Sequence, residues 1–230
     1  MMERHKRQGK AMTASTALAV LALCGVGCQS SHTAGPKPVQ YQEIALIQLE
    51  SGFVPAEVTL VKGQPARLHI TNAFGATSTF TISALGINAD LRHAELTQIT
   101  LAAEQMESLD GKKFACIETG NSGTFRVAAG GEETHALQTS GAVELAVVMT
   151  DDLAAPHLLV VKKDVPLKLY VTKTRGEEED DTIDIPDWGI KRDVEAGKVT
   201  EITYTPATAG DVVFMGTVTP SSRGVIRVID

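Results

Sequence analysis

The sequence has few aromatic residues and fewer basic than acidic residues, and both shortages exclude classes of partner. Aromatic residues make up 4% of the 230 positions, and 21 Lys and Arg stand against 28 Asp and Glu, a formal net charge of −7. Binding of nucleic acids requires a basic face, and single-stranded bases require aromatic side chains on which to stack. We therefore expect no nucleic-acid partner.

Long apolar runs are also missing, apart from one uncharged stretch near the start of the chain. Residues 11–28, AMTASTALAVLALCGVGC, follow a basic segment at residues 4–10 and precede the polar residues 29–38. A helix that spans a bilayer needs about 20 apolar residues, whereas this stretch is short and contains glycine. The pattern predicts an export signal.

The end of this stretch, GVGC at residues 25–28, resembles the lipobox of bacterial lipoproteins, in which a peptidase cuts before a cysteine that becomes diacylated. Gly25 departs from the leucine that is usual there. The resemblance implies a signal peptide over residues 1–27, lipid attachment at Cys28 and a tether over residues 28–42. A plain secretory signal is the alternative.

Lipidation at Cys28 would give the chain a membrane as one partner. We expect an exported protein, anchored to the cell envelope by its lipid and facing the periplasm. Gln29, which follows the lipidated cysteine, slightly favours the outer membrane.

Cysteine is scarce, and no disulfide is predicted. Of the three cysteines, Cys24 lies inside the predicted signal peptide and Cys28 carries the lipid, so Cys116 has no partner. One interpretation makes Cys116 a small buried hydrophobic side chain. The other makes it a remnant metal-binding or redox thiol, with Glu118 or a histidine from elsewhere in the chain beside it.

What the rest of the chain contains is a succession of short strand patterns separated by turn residues. Such spacing is typical of an all-β sandwich, and a helical turn is predicted only within residues 103–111. The predicted strands of the first half are EIALIQL (43–49), EVTLV (57–61), ARLHITN (66–72), STFTISAL (78–85), QITLAA (98–103), KKFACI (112–117) and GTFRVA (123–128).

The second half of the chain repeats the first. FTISALGI (80–87) matches IDIPDWGI (183–190), and GTFRV (123–127) matches GVIRV (224–228), in the same order. Self-similarity of this kind predicts two homologous domains in tandem. The predicted boundaries are domain 1 at residues 43–128, a polar linker at 129–142 and domain 2 at 143–230.

Each copy resembles a cupredoxin, the Greek-key β-sandwich of the blue-copper proteins. The resemblance rests on SGFVPAEVTLVKGQPARLHITN (51–72), on the FTISALGI and IDIPDWGI segments, and on TEITYTPATAGDVVFMG (200–216). It implies an all-β fold with two Greek-key cupredoxin-like sandwiches in tandem, after the signal peptide and a short tether.

The resemblance also implies where copper ligands would lie. A blue-copper centre uses two imidazoles, a thiolate and a weak axial ligand, and the segments 117–123 and 217–224, where the second histidine and the methionine should follow, contain neither. No cofactor is therefore expected, with copper at Cys116 as the alternative. We call the position at which a copper ligand would lie a slot. The slot for the first histidine is Ser78 in domain 1 and Asp181 in domain 2. The slot for the thiolate is Cys116 in domain 1 and Gly216 in domain 2.

Three other features have a structural and a functional interpretation. The acidic run GEEEDD (176–181) predicts a solvated loop, with a hard-cation site or a docking patch for a basic partner as alternatives. Trp188 is predicted to pack in the core. Four histidines show no metal-ligand spacing and are predicted to be surface or hydrogen-bonded side chains: His69, His93, His135 and His157.

The sequence contains no G-x-S-x-G, H-E-x-x-H or phosphate-binding glycine loop. We therefore predict no enzyme but a binding or assembly module, whose protein partner the sequence does not identify. The alternative is a copper-binding or electron-transfer protein that uses Cys116.

Overall fold

The structure, a computed structural model, describes residues 39–129, 142–177 and 180–230. The predicted signal peptide (1–27), the lipid site Cys28 and His135 lie outside the described residues. In the described ranges, no helix has the length and apolar character needed to cross a bilayer.

The first β-sandwich, sandwich 1, is formed by residues 42–128. Its strands are β1 (Gln42–Leu49), β2 (Gly52–Val54), β3 (Glu57–Val61), β4 (Ala66–Asn72), β5 (Ser78–Ile82), β6 (Ile87–Leu91), β7 (Leu96–Leu101), β8 (Lys113–Cys116) and β9 (Ser122–Ala128). One sheet has the order β2-β1-β4-β7 and the other β3-β9-β8-β5-β6. A short helix, α1 (Met106–Leu109), lies between β7 and β8, where the sequence predicts a helical turn.

The second β-sandwich, sandwich 2, has the same arrangement. Its strands are β10 (Val143–Met149), β11 (Ala154–Ala155), β12 (Leu158–Lys162), β13 (Leu167–Lys173), β14 (Asp180–Ile185), β15 (Ile190–Glu195), β16 (Val199–Tyr204), β17 (Gly210–Gly216) and β18 (Arg223–Ile229). The sheets are ordered β11-β10-β13-β16 and β12-β18-β17-β14-β15, so each strand position of sandwich 1 has a counterpart.

Each sandwich has its own apolar core, which the strand alternation builds. On β4, Leu68 and Ile70 are fully buried in the core of sandwich 1, because successive side chains of a strand point to opposite faces. Four phenylalanines fill this core, with ring centroids 4.9–5.8 Å apart. They are Phe53, Phe80, Phe114 and Phe125.

A third apolar cluster joins the two sandwiches. It lies between the outer faces of the two four-stranded sheets, where β1 contacts β10, and residues 39–230 accordingly form one compact unit. The buried members of this cluster are Ala45, Ile47 and Val54 of sandwich 1 and Ala146, Val148 and Tyr170 of sandwich 2.

The predicted all-β class and sandwich architecture are confirmed. The structure adds strands that are absent from the predicted set, notably β6. The sequence pattern missed β6 because Asn88 and Asp90 are poor strand formers. Both are exposed, and only Leu91, the last residue of the strand, is buried.

Candidate functional site

The four implied ligand slots lie where two neighbouring strands of each five-stranded sheet approach each other. In sandwich 1, Ser78 begins β5 and Cys116 ends β8, and these strands pair with Phe80 opposite Cys116. In sandwich 2, Gly216 ends β17 and lies opposite Ile183 of β14. Asp181 precedes Ile183 by two residues on the same strand. The strand pairing therefore brings the two slots of each sandwich together, as the resemblance implied.

In sandwich 1 a side chain from the other sheet fills the space between the slots. Nε2 of Gln48 donates to Sγ of Cys116 at 3.2 Å, and Oγ of Ser78 donates to Oε1 of Gln48 at 2.5 Å. Gln48, Ser78 and Cys116 are all at most 2% exposed. The amide of Gln48 thus bridges the first-histidine slot and the thiolate slot.

Two further residues complete the hydrogen bonding around this bridge. Nδ2 of Asn72 donates to Oγ of Ser78 at 3.4 Å and to the carbonyl of Leu91 at 3.2 Å. The thiol of Cys116 donates to Oε2 of Glu118 at 3.4 Å. We call Gln48, Asn72, Ser78, Cys116 and Glu118 the first slot cluster.

Glu118 is held as a carboxylate at the solvent side of this cluster. The backbone N–H of Thr79 donates to Oε2 at 2.6 Å and the Thr79 hydroxyl to Oε1 at 2.8 Å. These two bonds lower the pKa of Glu118 to about 2, and the bond from the backbone N–H has the larger effect. The Cys116 side chain therefore has a hydrogen-bond acceptor, the Glu118 carboxylate, and a hydrogen-bond donor, the Gln48 amide.

In sandwich 2 the carboxylate of Asp181 occupies the corresponding space. It accepts hydrogen bonds from the backbone N–H groups of Thr182 at 2.7 Å, Val218 at 2.8 Å and Thr219 at 3.2 Å, and from the Thr219 hydroxyl. Burial alone would raise the pKa of Asp181, but the hydrogen bonds, led by that of the Thr219 hydroxyl, outweigh it and hold the pKa below its ordinary value.

The prediction of a solvated loop for the acidic run is therefore wrong at its last residue. Asp181 is 3% exposed and belongs to β14, because four donors compensate the carboxylate for the loss of water. Glu177 and Asp180 are exposed, and Glu178 and Glu179 lie outside the described residues.

A buried lysine pairs with Asp151, whose carboxylate interacts electrostatically with that of Asp181. Lys173 ends β13 and its side chain is 0% exposed, with Nζ 2.7 Å from Oδ1 of Asp151. The backbone N–H of Glu177 donates to the other carboxylate oxygen of Asp151 at 2.7 Å. The hydrogen bond from Lys173 has the largest effect on the pKa of Asp151, which it lowers, and the bond from Glu177 lowers it further. We call Asp151, Lys173, Asp181, Gly216 and Thr219 the second slot cluster.

The residues present in these clusters do not fit a blue-copper ion. The first slot cluster offers one thiol and no imidazole, and the second offers carboxylates and a buried ammonium without a thiol or an imidazole. In residues 39–129, 142–177 and 180–230, no three His, Cys, Asp or Glu side chains are grouped as metal ligands would be. Gln48, Lys173 and Asp151, which occupy or border the slots, were not singled out by the sequence.

None of the described histidines belongs to either slot cluster, and they differ in their hydrogen bonding. Nδ1 of His93 lies 3.2 Å from the carbonyl oxygen of Asn72, and Nδ1 of His157 lies 2.6 Å from Oε2 of Glu43. His69 corrects the expectation of a surface or hydrogen-bonded side chain, because it is 3% exposed and neither ring nitrogen has a hydrogen-bond partner.

Trp188, predicted to be a core residue, is partly buried against the core of sandwich 2. Its ring stacks on that of Tyr204 with centroids 4.3 Å apart and planes at 17°. This pair replaces the smaller Leu85 and Leu101 of sandwich 1, and such stacking adds to the stabilisation that burial provides.

Comparison with known proteins gives structural neighbours only. No family model and no curated protein sequence matches the chain. Similar solved structures include the metal-binding domain of the Streptococcus pneumoniae D39 Cu(I)-exporting P-type ATPase, with Cu(I) (16% identity, TM-score 0.36, covering 41% of this chain and 93% of that one). A copper-binding protein in the apo form is similar at 24% identity and a TM-score of 0.35, over 41% of this chain and 94% of that one.

A multicopper oxidase is similar over a longer stretch, 81% of this chain and 87% of that one, at 12% identity and a TM-score of 0.34. The β-sandwich fold itself is established by the sheets described above.

Proposed function

We propose that this chain is an exported, lipid-anchored and non-catalytic binding or assembly module. In each sandwich, hydrogen bonds within the protein connect the residues at the ligand slots, in place of a metal ion. The observation that carries the proposal is the Gln48 bridge between Ser78 and Cys116. It supplies both slots of sandwich 1 with partners from the protein itself.

Sandwich 2 supports the same conclusion by different residues. Asp181 accepts four hydrogen bonds within the protein, and Lys173 already provides a positive charge beside Asp151. A cation entering this cluster would have to displace these donors or lie near the ammonium, and both changes cost free energy in a buried site.

The surface next to each slot cluster supports a role in binding another protein. Ile117, which follows Cys116, is 62% exposed, and Val218, two residues after Gly216, is 51% exposed. Exposed apolar side chains at equivalent ends of two folded domains suit contact with a partner.

Copper binding through Cys116 is the second candidate, and one observation favours it. Sγ of Cys116 lies 3.4 Å from the Glu118 carboxylate, which is exposed and hydrogen-bonded to Thr79. A thiolate at Cys116 is the type of ligand that Cu(I) prefers, and it could bind the ion beside this carboxylate if the Gln48 amide moved away.

A copper titration separates the two candidates. Cu(I) and Cu(II) are added to residues 39–230 and to the Cys116→Ala variant, with visible absorption and mass spectrometry as readouts. We expect no stoichiometric adduct beyond that of the variant. A thiolate-to-copper charge-transfer band that the variant lacks would contradict the metal-free proposal and establish the second candidate.

Lipid attachment is tested separately on the full chain. Cells that express it are labelled with a palmitate analogue, and the label is expected in the wild type and absent from Cys28→Ser, with Cys24→Ser as the matched control. Equal labelling of wild type and Cys28→Ser, or none in either, would contradict the predicted anchor.

A further inference from the structure

The unpartnered polar side chains of the described residues gather in one layer between the two sandwiches. The buried side-chain atoms without a hydrogen-bond partner are both ring nitrogens of His69 and the hydroxyls of Thr71 and Thr172. His69 and Thr71 alternate with the core residues Leu68 and Ile70 on β4, so they point to the outer face of that sheet. All three are at most 3% exposed.

This layer is built from equivalent positions of the two sandwiches. Ala45 lies beside His69 in the β1–β4 pairing, and Ala146 lies beside Tyr170 in the β10–β13 pairing. Thr71 and Thr172 are likewise counterparts, one position before the last residue of their strands. The two sandwiches therefore pack face to face as two copies of one subunit would in an isologous dimer.

His69 breaks this symmetry, because its counterpart is Tyr170. The Tyr170 hydroxyl donates to Oε1 of Glu144 at 3.2 Å, so this polar group is satisfied within sandwich 2. The His69 ring is covered in the layer but has no acceptor for a proton on either nitrogen.

We propose that His69 makes the contact between the two sandwiches sensitive to pH: they pack together while the imidazole is neutral and separate, each still folded, when it is protonated. Protonation would place a positive charge and a second N–H donor in a buried layer where neither ring nitrogen of His69 has a hydrogen-bond partner. Separation returns the imidazolium to water, which a buried and unpaired charge strongly favours.

The surrounding charges agree with the direction of this effect. Burial lowers the pKa of His69 below its ordinary value of 6.5; Glu43 on β1 opposes the shift, and Arg67 and His157 reinforce it. On the facing side of sandwich 2, Lys168 pairs with Glu201 and lies over the Tyr170 ring, whose hydroxyl donates to Glu144.

The sign of the pH dependence follows from this lowered pKa. The packed state holds fewer protons than the separated state, so its stability is complete above pH 6.5 and falls as the pH drops towards the lowered value. A second histidine also lies between the sandwiches: Nδ1 of His157 in sandwich 2 is 2.6 Å from Oε2 of Glu43 in sandwich 1.

Small-angle scattering on residues 39–230, which include both cores, tests the proposal between pH 8 and pH 5, with far-UV circular dichroism at each pH. A packed unit of this size has a radius of gyration of about 16 Å. We expect that radius to rise by a few Å, roughly a fifth, below pH 6.5 in the wild type while the β-sheet spectrum is retained.

His69→Gln, whose amide does not titrate in this range, is expected to keep the compact radius down to pH 5. His157→Gln is the matched control and is expected to open like the wild type, since it removes the contact with Glu43 and only the smallest of the effects on the pKa of His69. His69→Tyr, which copies the residue of sandwich 2, provides a second non-titrating variant should the glutamine variant fail to fold at pH 8.

Three results would overturn the proposal. One is a wild-type radius that stays constant from pH 8 to pH 5. Another is acid opening that persists in His69→Gln or His69→Tyr. The third is loss of the β-sheet spectrum together with the change in radius, which would mean that the sandwiches unfold and do not separate.

Discussion

The carboxylate of Asp181 occupies the space into which a side chain at position 216 would project. A Cβ added to Gly216 would overlap Oδ2 of Asp181 and lie 2.9 Å from the carbonyl oxygen of Thr219. In sandwich 1 the equivalent positions hold Ser78 and Cys116. The side chain of Ser78 is shorter than that of Asp181, whereas Cys116 has a side chain where Gly216 has none. The two slots of each sandwich are therefore matched to each other in size.

This matching predicts a strong coupling between positions 181 and 216. Gly216→Cys is expected to lower the free energy of unfolding by about 1–3 kcal/mol, because it forces atoms into a filled site. Combining it with Asp181→Ser, which reproduces the sandwich 1 pair, should cost less than the sum of the two single changes. Urea unfolding of the four proteins of this cycle measures the coupling, and additive costs would show that the two side chains do not compete for space.

The hydrogen bonds to Asp181 predict a loss of stability in acid. Because its pKa in the folded protein is held below the ordinary 3.8, its contribution is present above pH 3.8 and is lost as the pH falls through the lowered value. Asp181→Asn places an amide against backbone donors and should cost about 2–3 kcal/mol at neutral pH. Its melting temperature should also depend less on pH.

Thermal unfolding between pH 7 and pH 2.5 tests this, with Asp187→Asn as the control because Asp187 is exposed in the same segment. If Asp181→Asn and Asp187→Asn lose the same melting temperature at neutral pH and the same acid sensitivity, the network around Asp181 adds nothing to stability.

The sequence predicted the fold well because each strand carries its own local pattern. EVTLV and ARLHITN became β3 and β4 with the predicted bounds, since alternation and turn residues act over a few positions. The position of the slots also follows from sequence, because Ser78 and Cys116 lie at strand ends that the sheet pairs.

The contents of the slots could not be predicted in the same way. Gln48 is the next-to-last residue of a strand, where a polar side chain usually marks exposure, and its contact with Cys116 spans 68 positions. Lys173 reads as an exposed strand end, yet it is buried with Asp151. Such residues are determined by tertiary partners that are distant in sequence, and propensity or periodicity carries no signal for them.

The Gln48 bridge predicts how well the Cys116 thiol is protected. Gln48→Ala removes the donor to Sγ and opens space beside a thiol that is 1% exposed. Local opening should become easier by about 1.5 kcal/mol, which corresponds to labelling by a thiol reagent about tenfold faster. The control is Gln98→Ala, an exposed glutamine of β7; equal labelling rates for both variants and the wild type would refute a protective role for Gln48.

The ion pair of Lys173 and Asp151 predicts an asymmetric mutational response. Lys173→Met keeps the buried volume but leaves Asp151 without its ammonium partner. It should lower the free energy of unfolding by about 3 kcal/mol, the lower end of the range for breaking a buried pair, because Asp151 is 27% exposed. Adding Asp151→Ala should restore part of that loss, since no unpaired charge then remains. Lys163→Met removes the more exposed pair with Asp230, whose side chain is 87% exposed, and should change stability by less than about 1 kcal/mol. Urea unfolding of these variants gives the comparison, and a Lys173→Met cost no larger than that of Lys163→Met would mean that the buried ammonium does not stabilise sandwich 2.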